Sequence, residues 1–400
     1  MSAAKLPELP LGFRAAGAAC GIKSVADRLD LALFVSDLPA TAAGVFTQNR
    51  VVGAPVKVSR GRVPRLSARG VVINSGNSNA CTGERGVTDA EWMTATVADL
   101  IGYDAEDILV CSTGVIGRFL PRHKLEAGLP KVAAILQPTA ESFNAAARGM
   151  MTTDTVAKQV SKTITLGGRQ VTLAGACKGA AMIAPNMATM IAVLMTDAAL
   201  PPALADRLLR DAVKLSFNAI SVDGHTSTSD TVLLLANGAS GASVDSAGDI
   251  DTFRDALTEV CQQLSQAIIR DAEGANHIVT VDISGLRTDE EALEIARTIA
   301  DGILVKCALT GNDPNWGRIV SAAGYTSVCF EESDVSLWVN GVPLYEAGTP
   351  VAFDESDVSR RMATGEIHID LRFTLGEAKA RMWTSDLTQE YVRLNSEYTT

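Results

Sequence analysis

The sequence contains few of the residues on which familiar catalytic and metal sites depend. Its 400 residues include four histidines, and none belongs to an H-E-x-x-H pair or lies near a G-x-S-x-G turn. The seven cysteines are scattered without a C-x-x-C pair, which is typical of reduced thiols rather than of disulfides or zinc ligands. The sequence therefore predicts no metal site and gives no support to a histidine-dependent triad.

Basic runs and long apolar runs are also missing. The net charge is −11 and no stretch is rich in lysine or arginine, which argues against nucleic acid or an anionic membrane as a partner. The most apolar stretch, 180–195, is shorter than the ~20 residues that span a bilayer. No nucleotide-binding glycine loop and no export signal is present. We expect a cytoplasmic protein that acts on a small molecule, without nucleic acid or membrane.

Two hydrophobic periodicities are interspersed along the chain. Alternation around Gly167-Gly168 and Asn340-Gly341 predicts two β-hairpins. Apolar residues three and four apart predict helices, the first capped by Thr88, over residues 89–100, 202–215, 252–272 and 290–303. Because strands and helices do not alternate strictly, we expect the α+β class, a layered sandwich of αββα type, with a smaller carboxy-terminal α/β unit after Asn276.

One segment is unusual. Residues 177–190, CKGAAMIAPNMATM, place a lysine and a threonine in an apolar run. By composition alone this is a buried strand entered through a turn. In a second interpretation, the bond between Ala188 and Thr189 is cut, and the new α-amino group, with a pKa of about 8, accepts the proton of the Thr189 hydroxyl. Self-cleavage would then create a nucleophile without any histidine.

The same segment resembles the processing site of the ornithine acetyltransferase family of arginine biosynthesis. Further similarities extend over nearly the whole chain, at residues 12–17, 74–83, 151–155, 311–319 and 395–400. The resemblance implies that Thr189 accepts the acetyl group of N-acetylornithine as an ester and passes it to glutamate by double displacement. It implies no cofactor. It leaves open whether acetyl-CoA is a second acetyl donor, which would add an amino-acid N-acetyltransferase activity to the glutamate N-acetyltransferase activity.

The resemblance also implies roles for individual residues. Thr113 and Gly114, in a glycine-bearing turn, would form the oxyanion hole for the tetrahedral intermediate. The implied substrate-binding residues are Thr152, Lys178, Thr189, Glu273, Asn395 and Thr400. A lysine and a glutamate are suitable counter-charges for the carboxylates and the ammonium of these substrates. Without the resemblance, Glu273 would be an ordinary helix-end carboxylate, and Asn395 and Thr400 part of a loose tail.

Cleavage implies two fragments, 1–188 and 189–400, that associate as a heterotetramer, with 189–276 completing the sandwich and 277–400 forming the smaller unit. The chain departs from the family pattern at Ala180, Ala181, His225, Ser229, Asn276 and His277. These departures concern the donor or acceptor rather than the reaction class. Two alternatives remain, a related self-processing amidohydrolase or aminopeptidase in which water takes the acyl group, and a binding or scaffold protein that has kept the fold.

Overall fold

The structure is a computed structural model that describes residues 6–25, 27–184 and 190–397. Over these residues the strands are β1 Phe13–Ala18, β2 Leu31–Phe46, β3 Arg65–Asn77, β4 Ile108–Val115, β5 Lys158–Leu166, β6 Arg169–Lys178, β7 Ile191–Thr196, β8 Ile220–Ser221, β9 Thr231–Ala236, β10 Ile278–Leu286, β11 Ser336–Val339, β12 Val342–Glu346, β13 Thr349–Pro350, β14 Glu366–Arg372 and β15 Ala378–Ser385. The helices are α1 Ala54–Arg62, α2 Gly83–Ile101, α3 Arg122–Ala134, α4 Ala140–Met150, α5 Pro202–Lys214, α6 Ala247–Arg270, α7 Asp289–Asp301, α8 Ile303–Thr310, α9 Trp316–Gly324, α10 Glu355–Met362 and α11 Gln389–Glu397.

The first sheet is folded through the long strand β2. In the described part of the chain its strand order is β4-β3-β2-β9-β7-β6-β5, with β1 paired to β2. The first part of β2 pairs with β1, and the part after a register shift between Val35 and Ala40 pairs with β9. Such an irregularity bends a strand and increases its local twist. Strand β2 therefore runs from one half of the sheet into the other.

The two halves of this sheet face each other across an apolar core. That core joins Phe34 and Ile73 of one half to Val193 and Leu233 of the other, and Phe143 of α4 packs into it. The outer face of the first half packs against α2 and α3, and the outer face of the second half packs against α5 and α6. The result is a helix, sheet, sheet, helix sandwich, which confirms the predicted α+β class and the αββα layering.

A second sheet carries a core of its own. Within the described ranges its strand order is β13-β12-β11-β14-β10-β15-β8. Helix α7 packs on β10 and β15, and α9 packs on α7, which encloses residues such as Val281, Ile295 and Leu337. The short strand β8 pairs in parallel with β15 at Ile220 and Ser221. Strand β8 follows α5 in the chain, so this pairing connects the sandwich to the second sheet.

Most of the predicted local elements are confirmed. Gly167 and Gly168, and likewise Asn340 and Gly341, have positive φ between antiparallel strands, as a two-residue hairpin turn requires. All four predicted helices form. The predicted cap at Thr88 is wrong, because α2 begins five residues earlier, at Gly83, and the Thr88 hydroxyl donates to Glu84 O within the helix. No helix among the described residues is long and apolar enough to cross a membrane.

Candidate active site

A cavity lies where the carboxyl ends of β4 and β6 meet helix α11. Its volume is about 250 Å³. Six of the residues to which the family resemblance assigns a role line it, namely Thr113, Gly114, Thr152, Lys178, Glu273 and Asn395. Ala188, Thr189 and Thr400 lie outside the described residues. The fold therefore brings together six residues from five separate parts of the sequence. We call this space the central cavity.

Lys178 is the buried cation of the central cavity. It is the last residue of β6 and only 1% exposed, and its Nζ donates to Thr113 Oγ1 at 3.2 Å. Burial lowers the pKa of the Lys178 ammonium, although the negative charges of Asp154, Asp230 and Glu273 oppose this effect. The ammonium and the Thr113 hydroxyl therefore form one polar wall of the cavity.

Gly114 follows Thr113 within strand β4, so the predicted turn at these residues is wrong. Parallel pairing with β3 continues through Gly76 and Gly114. Gly114 has a φ of +128°, and a Cβ there would lie 2.4 Å from the carbonyl carbon of Gly76. Only glycine combines this backbone conformation with so close an approach of two strands. A side chain is therefore excluded at this point of the cavity wall.

Asp154 organises the loop that follows α4. Its Oδ1 accepts hydrogen bonds from Lys158 Nζ and the Gly179 amide, both at 2.7 Å, and its Oδ2 accepts one from the Thr152 amide at 2.9 Å. Lys158 is also paired with Asp271. Burial acts to raise the pKa of the Asp154 carboxyl, but Lys158, Lys178 and the Gly179 amide hold this pKa well below its usual range. The anion thus fixes Thr152 and the backbone after Lys178.

Helix α11 contributes the opposite wall. Asn395 Nδ2 donates to Glu273 Oε2 at 2.9 Å, and Tyr391 Oη donates to Asp223 Oδ2 at 2.9 Å. The Glu273 amide in turn donates to Ala180 O at 2.9 Å, beside the end of β6. Asn395 therefore belongs to a helix that packs on the site, and its interpretation as part of a loose tail is wrong.

Sequence reasoning did not identify Asp154, Asp223, Asp230 and Tyr391 as functional residues. Asp223 and Tyr391 line the central cavity, whereas Asp230 is fully buried and is not among the lining residues. The segment 151–155 resembles the family but implies no role for its aspartate, and 223–230 is notable in the sequence only for its departures from the family pattern. The signal that could have found Asp154, Asp223 and Asp230 was the presence of an acidic residue within these two segments.

The departures from the family pattern divide into two groups. Ala181, His225 and Ser229 line the central cavity, and Ala180 is buried beside Glu273. Asn276 and His277 instead lie just before β10, outside the set of cavity-lining residues. The ring of His277 is bound through Nδ1 to Asp386 at 2.9 Å and through Nε2 to Asn312 at 3.0 Å.

The described residues contain no cluster of side chains suited to a metal ion.

A four-layer sandwich with a buried lysine, a threonine and carboxylates around a small cavity defines an enzyme for small charged substrates. Residues 14–400 match the model of the ArgJ family. The chain belongs to the ArgJ family. This membership confirms the family expected from the sequence, and the expectation of an arginine-biosynthesis enzyme of the glutamate N-acetyltransferase type.

Relatives named as arginine biosynthesis bifunctional protein ArgJ match over almost the whole chain. The protein of Rhodopirellula baltica is 45% identical over 396 residues, covering 98% of this chain and 96% of the relative. That of Symbiobacterium thermophilum is 43% identical over 394 residues, covering 98% of each chain.

Two solved structures are also similar. The ArgJ protein of Bacillus halodurans is 38% identical, with a TM-score of 0.43, covering 45% of this chain and 92% of that chain. The ornithine acetyltransferase of Mycobacterium tuberculosis, solved with ornithine, is 39% identical, with a TM-score of 0.40, covering 44% of this chain and 92% of that chain.

Proposed function

We propose that the chain cleaves itself between Ala188 and Thr189 and then transfers acetyl from N-acetyl-L-ornithine to L-glutamate. The Thr189 hydroxyl attacks the acetyl carbonyl, ornithine leaves with a proton, and the threonine ester is then attacked by the amine of glutamate. The α-amino group of Thr189, freed by cleavage, is the base that takes the hydroxyl proton. One lysine and one glutamate in a single cavity suit substrates that carry both carboxylates and amines.

The convergence of six sequence-predicted residues on the central cavity is the observation that carries this proposal. Strand β6 ends at Lys178 in the cavity, and β7 begins at Ile191, so the cleavage position lies on the connection between them. Thr113 and Gly114 form the wall nearest Lys178 and are assigned to the oxyanion of the tetrahedral intermediate, where donors stabilise the transition state by about 3 kcal/mol. Thr152, Glu273 and Asn395 are assigned to the substrate.

Further parts of the proposal concern the second donor, the fragments and the assembly. Acetyl-CoA as a donor to the same Thr189 would give the second activity of a bifunctional enzyme. Fragments 1–188 and 189–400 remain associated and pair again into a heterotetramer in the cytoplasm. No cofactor is required by this chemistry, because the nucleophile and its base both belong to Thr189.

Intact mass of the purified protein beside a Thr189→Ala variant tests the cleavage. The parent should give two fragments divided after Ala188, and the variant one uncut chain. Thr258→Ala, which removes a hydroxyl that donates to Arg254 O within α6, is the control and should still be cut. An uncut parent would count against self-processing and would favour the scaffold alternative.

Acetyl transfer tests the reaction. Cleaved protein given N-acetylornithine should form an acetyl adduct on the fragment that begins with Thr189, and adding glutamate should remove the adduct and yield N-acetylglutamate. Replacing N-acetylornithine by acetyl-CoA asks whether the second donor is used. Loss of the adduct to water at the same rate with and without glutamate would support the amidohydrolase or aminopeptidase alternative.

A further inference from the structure

Asp230 is a buried carboxyl group that the proposed reaction does not use. Its residue is 0% exposed, its Oδ1 accepts a hydrogen bond from the Met190 amide at 3.0 Å, and its Oδ2 has no partner among the described residues. Burial raises the pKa of the Asp230 carboxyl well above its usual value, against the opposing effects of the Met190 amide, the Thr47 hydroxyl and the Lys178 ammonium. A buried polar atom without a partner costs folding free energy, so its retention calls for a reason.

The position of Asp230 supplies that reason. The Met190 nitrogen, which Asp230 binds, is covalently attached to the carbonyl carbon of Thr189. The Met190 carbonyl accepts a hydrogen bond from the Thr231 amide at 3.1 Å, so both backbone groups of Met190 are held by consecutive residues of one loop and strand. Neighbouring Cα atoms are about 3.8 Å apart across a trans peptide bond. Asp230 and Thr231 therefore fix the residue to which Thr189 is covalently joined.

The other end of the same connection is held in a similar way. Asp223 accepts hydrogen bonds from the Met182 amide at 2.7 Å and the Ile183 amide at 2.9 Å, and the Val222 amide donates to Ile183 O at 2.8 Å. Met182 has a φ of +56°, which is uncommon for a residue with a side chain. One loop, 223–230, thus carries a carboxylate to each end of the connection, with residues 184–189 between them.

We propose that Asp223 and Asp230 are positioning residues that hold the two ends of segment 184–189, and that Asp230 places the Thr189 nucleophile for self-cleavage and for acetyl transfer. This inference rests on the proposed function. Displacing a reacting group by about 1 Å can cost 100-fold in rate. An acceptor oxygen at position 230 is the feature that matters, since its partner is a backbone amide.

Variants at position 230 separate the acceptor from the charge. Asp230→Ala removes the acceptor and should slow self-cleavage at least 10-fold. In the fraction that is cut, kcat should fall at least 10-fold while KM changes less than 3-fold. Asp230→Asn keeps an oxygen that can accept from the Met190 amide and should restore both rates to within 3-fold of the parent. If the alanine variant does not fold, Asp230→Leu provides a side chain of similar shape without an acceptor.

Asp197 offers a matched control at the opposite end of β7. It is also buried, and its carboxyl accepts the Leu11 and Thr172 amides at 3.0 and 2.8 Å. Asp197→Ala should lower stability but leave cleavage and kcat within 3-fold of the parent. Equal losses of kcat in Asp197→Ala and Asp230→Ala would reduce the effect to general destabilisation and overturn the inference.

Further outcomes test the roles of Asp230 and Asp223 and separate this inference from the proposed function. Parental rates in Asp230→Ala or Asp230→Leu would overturn the role of Asp230, and so would an asparagine variant no better than these. Asp223→Ala should also slow cleavage at least 10-fold, and cleavage at the parental rate would overturn the role of Asp223. A parent that is neither cut nor acetylated refutes the proposed function itself, whereas an active parent with unaffected Asp230 variants refutes only this inference.

Discussion

Asn395 Nδ2 donates a hydrogen bond to Glu273 Oε2 at 2.9 Å, which ties the last helix of the described chain to the wall of the central cavity. The two residues are separated by 122 positions in sequence. A hydrogen bond to a charged group contributes about 1.5–3 kcal/mol. The orientation of the Glu273 carboxylate therefore depends on α11.

Asn395→Ala should weaken substrate binding more than chemistry, because Glu273 would lose the donor that orients it. We expect KM for N-acetylornithine to rise about 10-fold, the equivalent of ~1.4 kcal/mol, with kcat within 3-fold. Steady-state kinetics of acetyl transfer measures this. Ser396→Ala on the same helix is the control, since the Ser396 hydroxyl donates to Arg393 O within the helix. An unchanged KM in Asn395→Ala would show that Asn395 does not contribute to substrate binding.

Asp154→Asn should destabilise the protein by about 3 kcal/mol, because it leaves the buried ammonium of Lys158 without its full counter-charge. Urea unfolding measures the loss. Asp206→Asn, which breaks a surface pair with Arg210, should cost less than about 0.5 kcal/mol. Similar losses in the two variants would contradict a special contribution of the buried pair.

The Asp154 carboxyl should also make the stability of the protein fall at acid pH. Its folded-state pKa lies below the unfolded value of about 3.9, so its stabilisation is complete above that value and is lost as pH falls through and below it. Between pH 6 and pH 3 the parent should therefore lose more unfolding free energy than Asp154→Asn. If the unfolding free energy of the two proteins fell by the same amount over this range, the lowered pKa of the Asp154 carboxyl would be contradicted.

Gly114→Ala tests the close approach of β3 and β4. The added Cβ meets the Gly76 carbonyl carbon, so we expect a loss of about 3 kcal/mol or more in unfolding free energy, with loss of acetyl transfer. Gly117 also has positive φ, at +79°, but nothing lies within 4 Å of a Cβ there. Gly117→Ala should cost about 1 kcal/mol for its backbone conformation alone. Equal losses of unfolding free energy in Gly114→Ala and Gly117→Ala would contradict a steric clash between β3 and β4.

The charge of Lys178 should set the pH above which acetyl transfer slows. Because burial lowers the pKa of its ammonium, the positive charge disappears at a lower pH than for an exposed lysine. We expect kcat/KM to fall as pH rises through this lowered pKa, and Lys178→Arg to shift the fall to higher pH. Lys178→Met should be at least 10-fold less active at neutral pH. Lys162→Met, at a partly exposed pair with Glu259, is the control and should keep the parental profile.

The sequence indicated the local elements and most of the cavity residues. Hairpins at Gly167 and Asn340 follow from turn chemistry, and Lys178 and Glu273 stood out through the family resemblance. The fold of the sheet through β2 could not be predicted, since β2 bends at a register shift within one continuous strand. Asp223 was equally hidden, because its carboxylate binds amides about 40 positions earlier in the chain. Such contacts exist only once the layers have assembled.

The pairing of β6 with β7 has a consequence for chain continuity. These strands lie on opposite sides of the proposed cleavage position, yet they pair in antiparallel register from Leu173 with Thr196 to Lys178 with Ile191. Their side chains also enter the same apolar cores. Strand pairing and packing hold the two segments in place without the peptide link between them. If the chain is cut at the proposed position, the two segments would therefore stay joined through the sheet.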